Sequence, residues 1–159
     1  MKKSLLVLAT VAAFAAHAQT TDTLKKIKDS GSATMGVRES SGALSYTLGD
    51  GKFAGFHVEV CQKVLADVQK AQGMAKLDIK YVPVTSQNRI PLVQNGTVDI
   101  ECGSTTNNAT RQKDVAFAVT TYVEEVRIAV KANSGITSIA QLKDRNVATT
   151  TGTTSVQLL

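Results

Sequence analysis

The stretch from Thr85 to Arg111, TSQNRIPLVQNGTVDIECGSTTNNATR, sets two arginines among polar residues that are nearly all small and uncharged. A guanidinium is a planar, permanently charged fork that matches a carboxylate, and hydroxyls and helix N-terminal N–H groups also donate to anions. Four such clusters recur along the chain: Arg38-Glu39-Ser40-Ser41, Thr85-Ser86-Gln87-Asn88-Arg89, Gly103-Ser104-Thr105-Thr106 and Thr150 to Ser155. Each alone has a plain alternative, because Ser and Thr at such turns commonly serve as helix N-caps and an exposed arginine is commonly just solvated. Together they describe an anion site with more than one positive pole, provided the chain brings them to one place.

The elements that must do so follow from apolar spacing and punctuation. TDTLKKIKDSG reads as a short helix capped by Asp22 or Thr23, with Leu24 and Ile27 inward and Gly31 as its stop. SATMGVRES is a buried strand ending in a polar turn, and ALSYTLGDGKFAGF is a hairpin with Asp50-Gly51 at its tip. Val58, Cys61, Val64, Leu65 and Val68 recur at helical spacing between Phe56 and Gln72, with Gly73 ending that helix. LDIKYVPV is a strand, NRIPLVQNG a short helix with Pro91 in its first turn, and VDIEC the next strand. Beyond them EVRIAVKA reads as a strand, SIAQLKDRN as a helix, VATT as a strand and GTTSVQLL as a helix start. Alternating strands and helices imply an α/β fold with a largely parallel sheet, in which ligands bind outside the carboxyl ends of the strands. All four clusters follow expected strands at those ends. The restart of the βα pattern after the β-prone run near 126–133 marks a boundary between a first lobe, 19–125, and the start of a second, 134–159.

The chain opens MKKSLLVLATVAAFAAHAQ. Lys2 and Lys3, an apolar run from Leu5 to Ala16 and the triplet Ala16-His17-Ala18 have the order of a secretory signal peptide over residues 1–18, too short and wrongly flanked for a membrane span. Taking two lysines from 18 basic residues against 13 acidic ones leaves a formal +3. Those lysines are scattered and aromatics are 4% of residues, so neither a basic stripe nor a stacking platform for nucleic acid is present. In an exported chain Cys61 and Cys102 are expected to form a disulfide, closing a loop of about 40 residues and adding roughly 3 to 4 kcal/mol in the chain-entropy account, with two buried free thiols as the alternative. GTTSVQLL carries no helix stop after it, from which the chain is expected to be cut inside a larger architecture.

VRESSGALSY, VTSQNRIPLVQNGTVDIECGSTTNNATRQKDVAF and TTGTTS together resemble the periplasmic glutamate/aspartate-binding proteins of ABC transporters, within the polar amino acid solute-binding family. The resemblance covers nearly all of the chain after the leader. It implies a two-lobed periplasmic binding protein fold of type II, with the first lobe mostly present and the second only begun. It further implies that Arg111, Ser104 and Thr106 hold a ligand α-carboxylate, that Arg38, Ser86 and Arg89 face a side-chain carboxylate, and that Thr154, with Thr153, grips from the second lobe. The implied partners are L-glutamate or L-aspartate and a membrane permease, with a monomeric periplasmic protein and no cofactor, metal or nucleic acid.

Two other function classes compete. An enzyme could use Cys102 as nucleophile and His57 as base, but no third orienting group is evident and a disulfide would remove the thiol; lyase chemistry does occur on this fold. One histidine and two distant cysteines after the leader give no metal-ligand spacing. An extracellular sensor domain is the other class, and a transmembrane helix beyond residue 159 would favour it.

Overall fold

A computed structural model describes residues 22–158. The leader expected over residues 1–18 lies outside the described residues. Helix α1, Thr23–Ser30, starts where the Asp22 carboxylate accepts the Lys25 N–H and ends at Gly31, whose φ of 66° is the left-handed conformation that a helix C-cap favours. Strand β1, Ser32–Val37, follows at once. It is the centre of a three-stranded parallel sheet, flanked by β4, Asp78–Pro83, and by β5, Ile100–Cys102.

The register of that sheet is what matters for function. Val37 stands opposite both Pro83 and Cys102, so the three strands end level with one another. Consequently Arg38, Thr85 and Gly103 leave the sheet from one edge. Alternation along β1 sends Ala33, Met35 and Val37 into the core, where they meet Ile27, Val58, Cys61, Leu65 and Cys102. Helix α2, Phe56–Ala71, supplies Val58, Cys61 and Leu65 from its inward stripe. The disulfide Cys61–Cys102 joins this helix to the end of β5, with a Cα separation of 6.3 Å.

The other face of the sheet carries α3, Arg89–Gln94, which Thr85 and Asn88 launch by exchanging side-chain acceptors for each other's backbone N–H groups at 3.1 and 2.7 Å. Pro91 is tolerated because its missing N–H falls in the first turn. On α1, Lys26 reaches the Gly96 carbonyl at 2.7 Å and Asp99 at 2.8 Å, while Asp99 also accepts the Thr34 N–H. This pairing anchors the approach to β5. The hairpin β2, Tyr46–Gly49, with β3, Lys52–Ala54, turns at Asp50 and Gly51, whose φ values of 51° and 72° suit the tight turn their types predict.

Four expectations fail in the last third of the chain. EVRIAVKA and VATT form no strands, and the segments expected as helices are 3₁₀ turns, Ile139–Leu142 and Thr154–Leu158. The reason is a missing partner: a strand is a ladder with a neighbour, and among the described residues no backbone pairs with either run. Val126 and Val130 therefore keep 54% and 42% of their surface exposed despite their β-propensity. No helix among the described residues is long and apolar enough to cross a membrane.

Candidate functional site

The level sheet edge brings Arg38, Ser86 and Ser104 together. Arg38 follows β1 directly. Its Nε donates to the Ser41 hydroxyl at 3.2 Å, Nη1 to the Val84 carbonyl at 2.7 Å and Nη2 to the Ser86 hydroxyl at 3.2 Å. Ser41 and Ser104 share a hydrogen bond of 2.9 Å, so one chain of polar contacts runs from the loop after β1 to the loops after β4 and β5. The buried Ser45 hydroxyl holds the base of Arg38, accepting its N–H at 2.8 Å and donating to its carbonyl. Three of the five guanidinium N–H groups are thus committed, which fixes the fork and leaves two for an anion.

Arg111 opens a 3₁₀ turn, Arg111–Lys113, and donates through Nη1 to the Thr106 carbonyl at 3.0 Å and through Nη2 to the Gly152 carbonyl at 3.1 Å. Its main-chain N–H is held by the Asn108 side chain at 2.9 Å. The second contact carries the fourth cluster to the first three. Gly152, at a φ of 76°, lies so close that a Cβ there would stand 2.6 Å from the Ser86 carbonyl oxygen. The Thr153 hydroxyl donates to the Thr150 carbonyl at 2.7 Å and so serves its own turn, while Thr154 begins the closing 3₁₀ turn.

Arg89 departs most from an ordinary arginine. It is 3% exposed at the start of α3, and its Nε has no hydrogen-bond partner. Burial holds its guanidinium below the usual basicity, Glu101 works against that shift, and Arg111 and Arg38 add to it. Arg89 therefore feels the positive charge of both other arginines.

Glu101 is a neighbour of the site that the motifs did not single out. Its neighbours Ile100 and Cys102 face the α2 side, so the period of two turns Glu101 to the α3 side with Arg89. Burial pushes its carboxyl above the usual range, against the pull of the nearby Thr105 hydroxyl and the charges of Arg89, Arg38 and His57. A carboxylate between apolar neighbours in a short strand was the signal available in the sequence. Gly103 matters for the same reason, since a Cβ there would collide with Glu101 Oε1 and the Arg38 stem.

The enzyme reading loses its nucleophile, because Cys102 is in the disulfide. His57 is also engaged: its Nδ1 lies 2.5 Å from the Gly103 carbonyl and its Nε2 lies 2.9 Å from the Thr121 hydroxyl. A carbonyl can only accept, so Nδ1 carries a proton, while Nε2 and the Thr121 hydroxyl can each donate or accept.

Residues 33–155 match the family of bacterial extracellular solute-binding proteins, family 3. The chain is 50% identical over 141 residues to an L-glutamate/L-aspartate-binding protein of Pseudomonas aeruginosa, covering 87% of this chain and 46% of that protein. It is 45% identical over 137 residues to the glutamate/aspartate import solute-binding protein of Escherichia coli, covering 86% of this chain and 45% of the relative. The chain thus spans about half the length of the curated relatives it matches. In fold it is similar to the solute receptor for L-cysteine of Neisseria gonorrhoeae, with a TM-score of 0.59 at 24% identity over 76% of this chain and 48% of that one. A cysteine-binding protein from Campylobacter jejuni gives 0.58 at 22% identity, over 76% of this chain and 47% of that one. The α/β fold is that of type II periplasmic binding proteins, and the parallel sheet with its helices is one lobe of it.

Proposed function

The chain belongs to the bacterial extracellular solute-binding proteins of family 3, and from that premise we propose that it captures an acidic amino acid, L-glutamate or L-aspartate, for import through an ABC transporter. The observation that carries this reading is the meeting of Arg38, Arg89 and Arg111 at one sheet edge with Ser86, Ser104 and Thr106 around them. An acidic amino acid brings two carboxylates and one ammonium, and taking them out of water requires paired charges and filled hydrogen bonds. Relatives at 45% and 50% identity carry names that give glutamate and aspartate as ligands.

In this reading Arg111, Ser104 and Thr106 take the α-carboxylate, and Arg38, Ser86 and Arg89 take the side-chain carboxylate. Thr153 and Thr154 lie across the site from them and close on the ligand. Residues 126–133 form the crossover into a second lobe that begins at 134. The protein works in the periplasm after loss of residues 1–18, as a monomer that hands its ligand to a permease and catalyses nothing. Against the lyase reading stands the disulfide, which occupies the Cys102 sulfur, while a sensor domain would hold the same ligand in the same way.

The test is calorimetric titration of the protein expressed from its own gene with glutamate, aspartate, glutamine and arginine. The expected result is a dissociation constant of about micromolar or tighter for an acidic amino acid, on the order of −8 kcal/mol. Tighter binding of glutamine or arginine refutes the reading.

A further inference from the structure

We propose that Glu101 is a specificity-determining counter-charge: it lies behind Arg38 and Arg89, subtracts one unit from their positive pole, and so sets how strongly the site prefers a charged ligand side chain over a neutral one. The inference rests on the acidic amino acid reading above and concerns a residue that need not touch the ligand.

The geometry has three parts. Glu101 stands opposite Gly36 in the β1–β5 pairing, with its Cγ 3.5 Å from where a Cβ on Gly36 would stand. Its Oε1 lies against Gly103 beside the stem of Arg38 and is buried without a hydrogen-bond partner. The Nε of Arg89 is buried and unpartnered as well, and no ion pair within 4 Å joins the two residues among the described residues. A buried carboxylate that forms no direct pair acts through the field it adds to its surroundings. The groups that face it are Arg38 from the end of β1, Arg89 from α3, His57 from α2 and Thr105 from the loop after β5. The Glu101 Oε1 and the Arg38 stem crowd the same point at Gly103, so Glu101 bears most directly on the pole that Arg38 and Arg89 form. That pole is the one assigned to the side-chain carboxylate, where glutamate and glutamine differ.

The sign follows from like charges. An ionised Glu101 repels an incoming side-chain carboxylate while leaving a neutral amide almost unaffected, so its presence narrows the discrimination that the bare arginines would give. It lowers the affinity ceiling for glutamate and keeps release feasible.

The experiment compares wild type, Glu101→Gln and Glu101→Asp by titration with glutamate and with glutamine. In Glu101→Gln the ratio of the glutamine to the glutamate dissociation constant should rise about tenfold or more, and Glu101→Asp, which keeps the charge, should stay close to wild type. An unchanged ratio in Glu101→Gln, or equal weakening of both ligands, overturns the proposal and assigns Glu101 a packing role. A second measurement needs no variant: wild-type titrations in two buffers of different ionisation enthalpy report protons taken up on binding. Glutamate should draw more protons than glutamine as pH is lowered, because a new carboxylate raises the proton affinity of Glu101. Equal proton uptake for the two ligands also overturns it. Absence of glutamate binding by wild type would instead defeat the acidic amino acid reading itself.

Discussion

Reducing the Cys61–Cys102 bridge isolates a cross-link without deleting an atom of the core. Both half-cystines are buried, at 9% and 2% exposure, so replacing them would mix lost packing with the lost constraint. Reduction leaves the sulfurs in place. The bridge spans 41 residues, and the chain-entropy relation for that loop gives about 4 kcal/mol at 25 °C. The loop contains most of α2 together with β4, α3 and β5, so Ser86 and Arg89 lie within it while Arg38, Ser104 and Arg111 lie outside. For a chain of this size about 4 kcal/mol corresponds to a fall in Tm of roughly 10 to 15 °C. Urea unfolding followed by circular dichroism, with and without reductant, measures the difference, and mass spectrometry under non-reducing conditions verifies the starting state. Midpoints that agree to within about 0.5 kcal/mol would refute the claim that this bridge constrains the unfolded chain.

Replacing Arg111 with Met should weaken every amino acid ligand by roughly 2 to 5 kcal/mol, whereas Arg89→Met should penalise glutamate far more than glutamine; equal factors for both ligands in Arg89→Met, read by titration, would contradict the division of poles. Gly152→Ala should weaken glutamate binding by roughly 1 to 3 kcal/mol, because its φ of 76° and the Ser86 carbonyl 2.6 Å from the new Cβ both oppose the substitution, and unchanged affinity would count against docking of that turn. The Glu101 carboxyl is pushed above its ordinary 4.5 by burial, so as pH rises the unfolded chain loses this proton first. Wild type should therefore be most stable relative to Glu101→Gln below that value and lose the increment as pH climbs through the folded pKa. Urea midpoints at pH 4 and pH 7 check this, and a relative gain for wild type at the higher pH contradicts it.

The parts of the fold that are legible in the sequence are those whose causes are local. Asp22 and Gly31 bound α1 as their types dictate, Asp50-Gly51 turns the hairpin, and the stripe Val58, Cys61, Leu65 buries the expected face of α2. The disulfide was legible too, from two cysteines in an exported chain. What depends on pairing was not. EVRIAVKA has the composition of a strand, but composition supplies no ladder partner, and the run stays exposed. Glu101 was hidden for a related reason: its face of β5 becomes an interior only once α3 covers it and Arg89 arrives there. The arginine and hydroxyl clusters stand as neighbours because a parallel sheet ends its strands together, while the contact between Arg111 and Gly152 needed the path of the chain from 115 to 150.

The central claim is that the sheet edge bearing Arg38, Arg89 and Arg111 holds the two carboxylates of one ligand. A crystal structure of the protein expressed from its own gene, grown with L-glutamate, tests it most directly. The account predicts the α-carboxylate within about 3 Å of Arg111 and the side-chain carboxylate within about 3 Å of Arg38 or Arg89, distances at which charged hydrogen bonds form. A ligand bound away from this edge, or one whose ammonium faces the arginines, would contradict it.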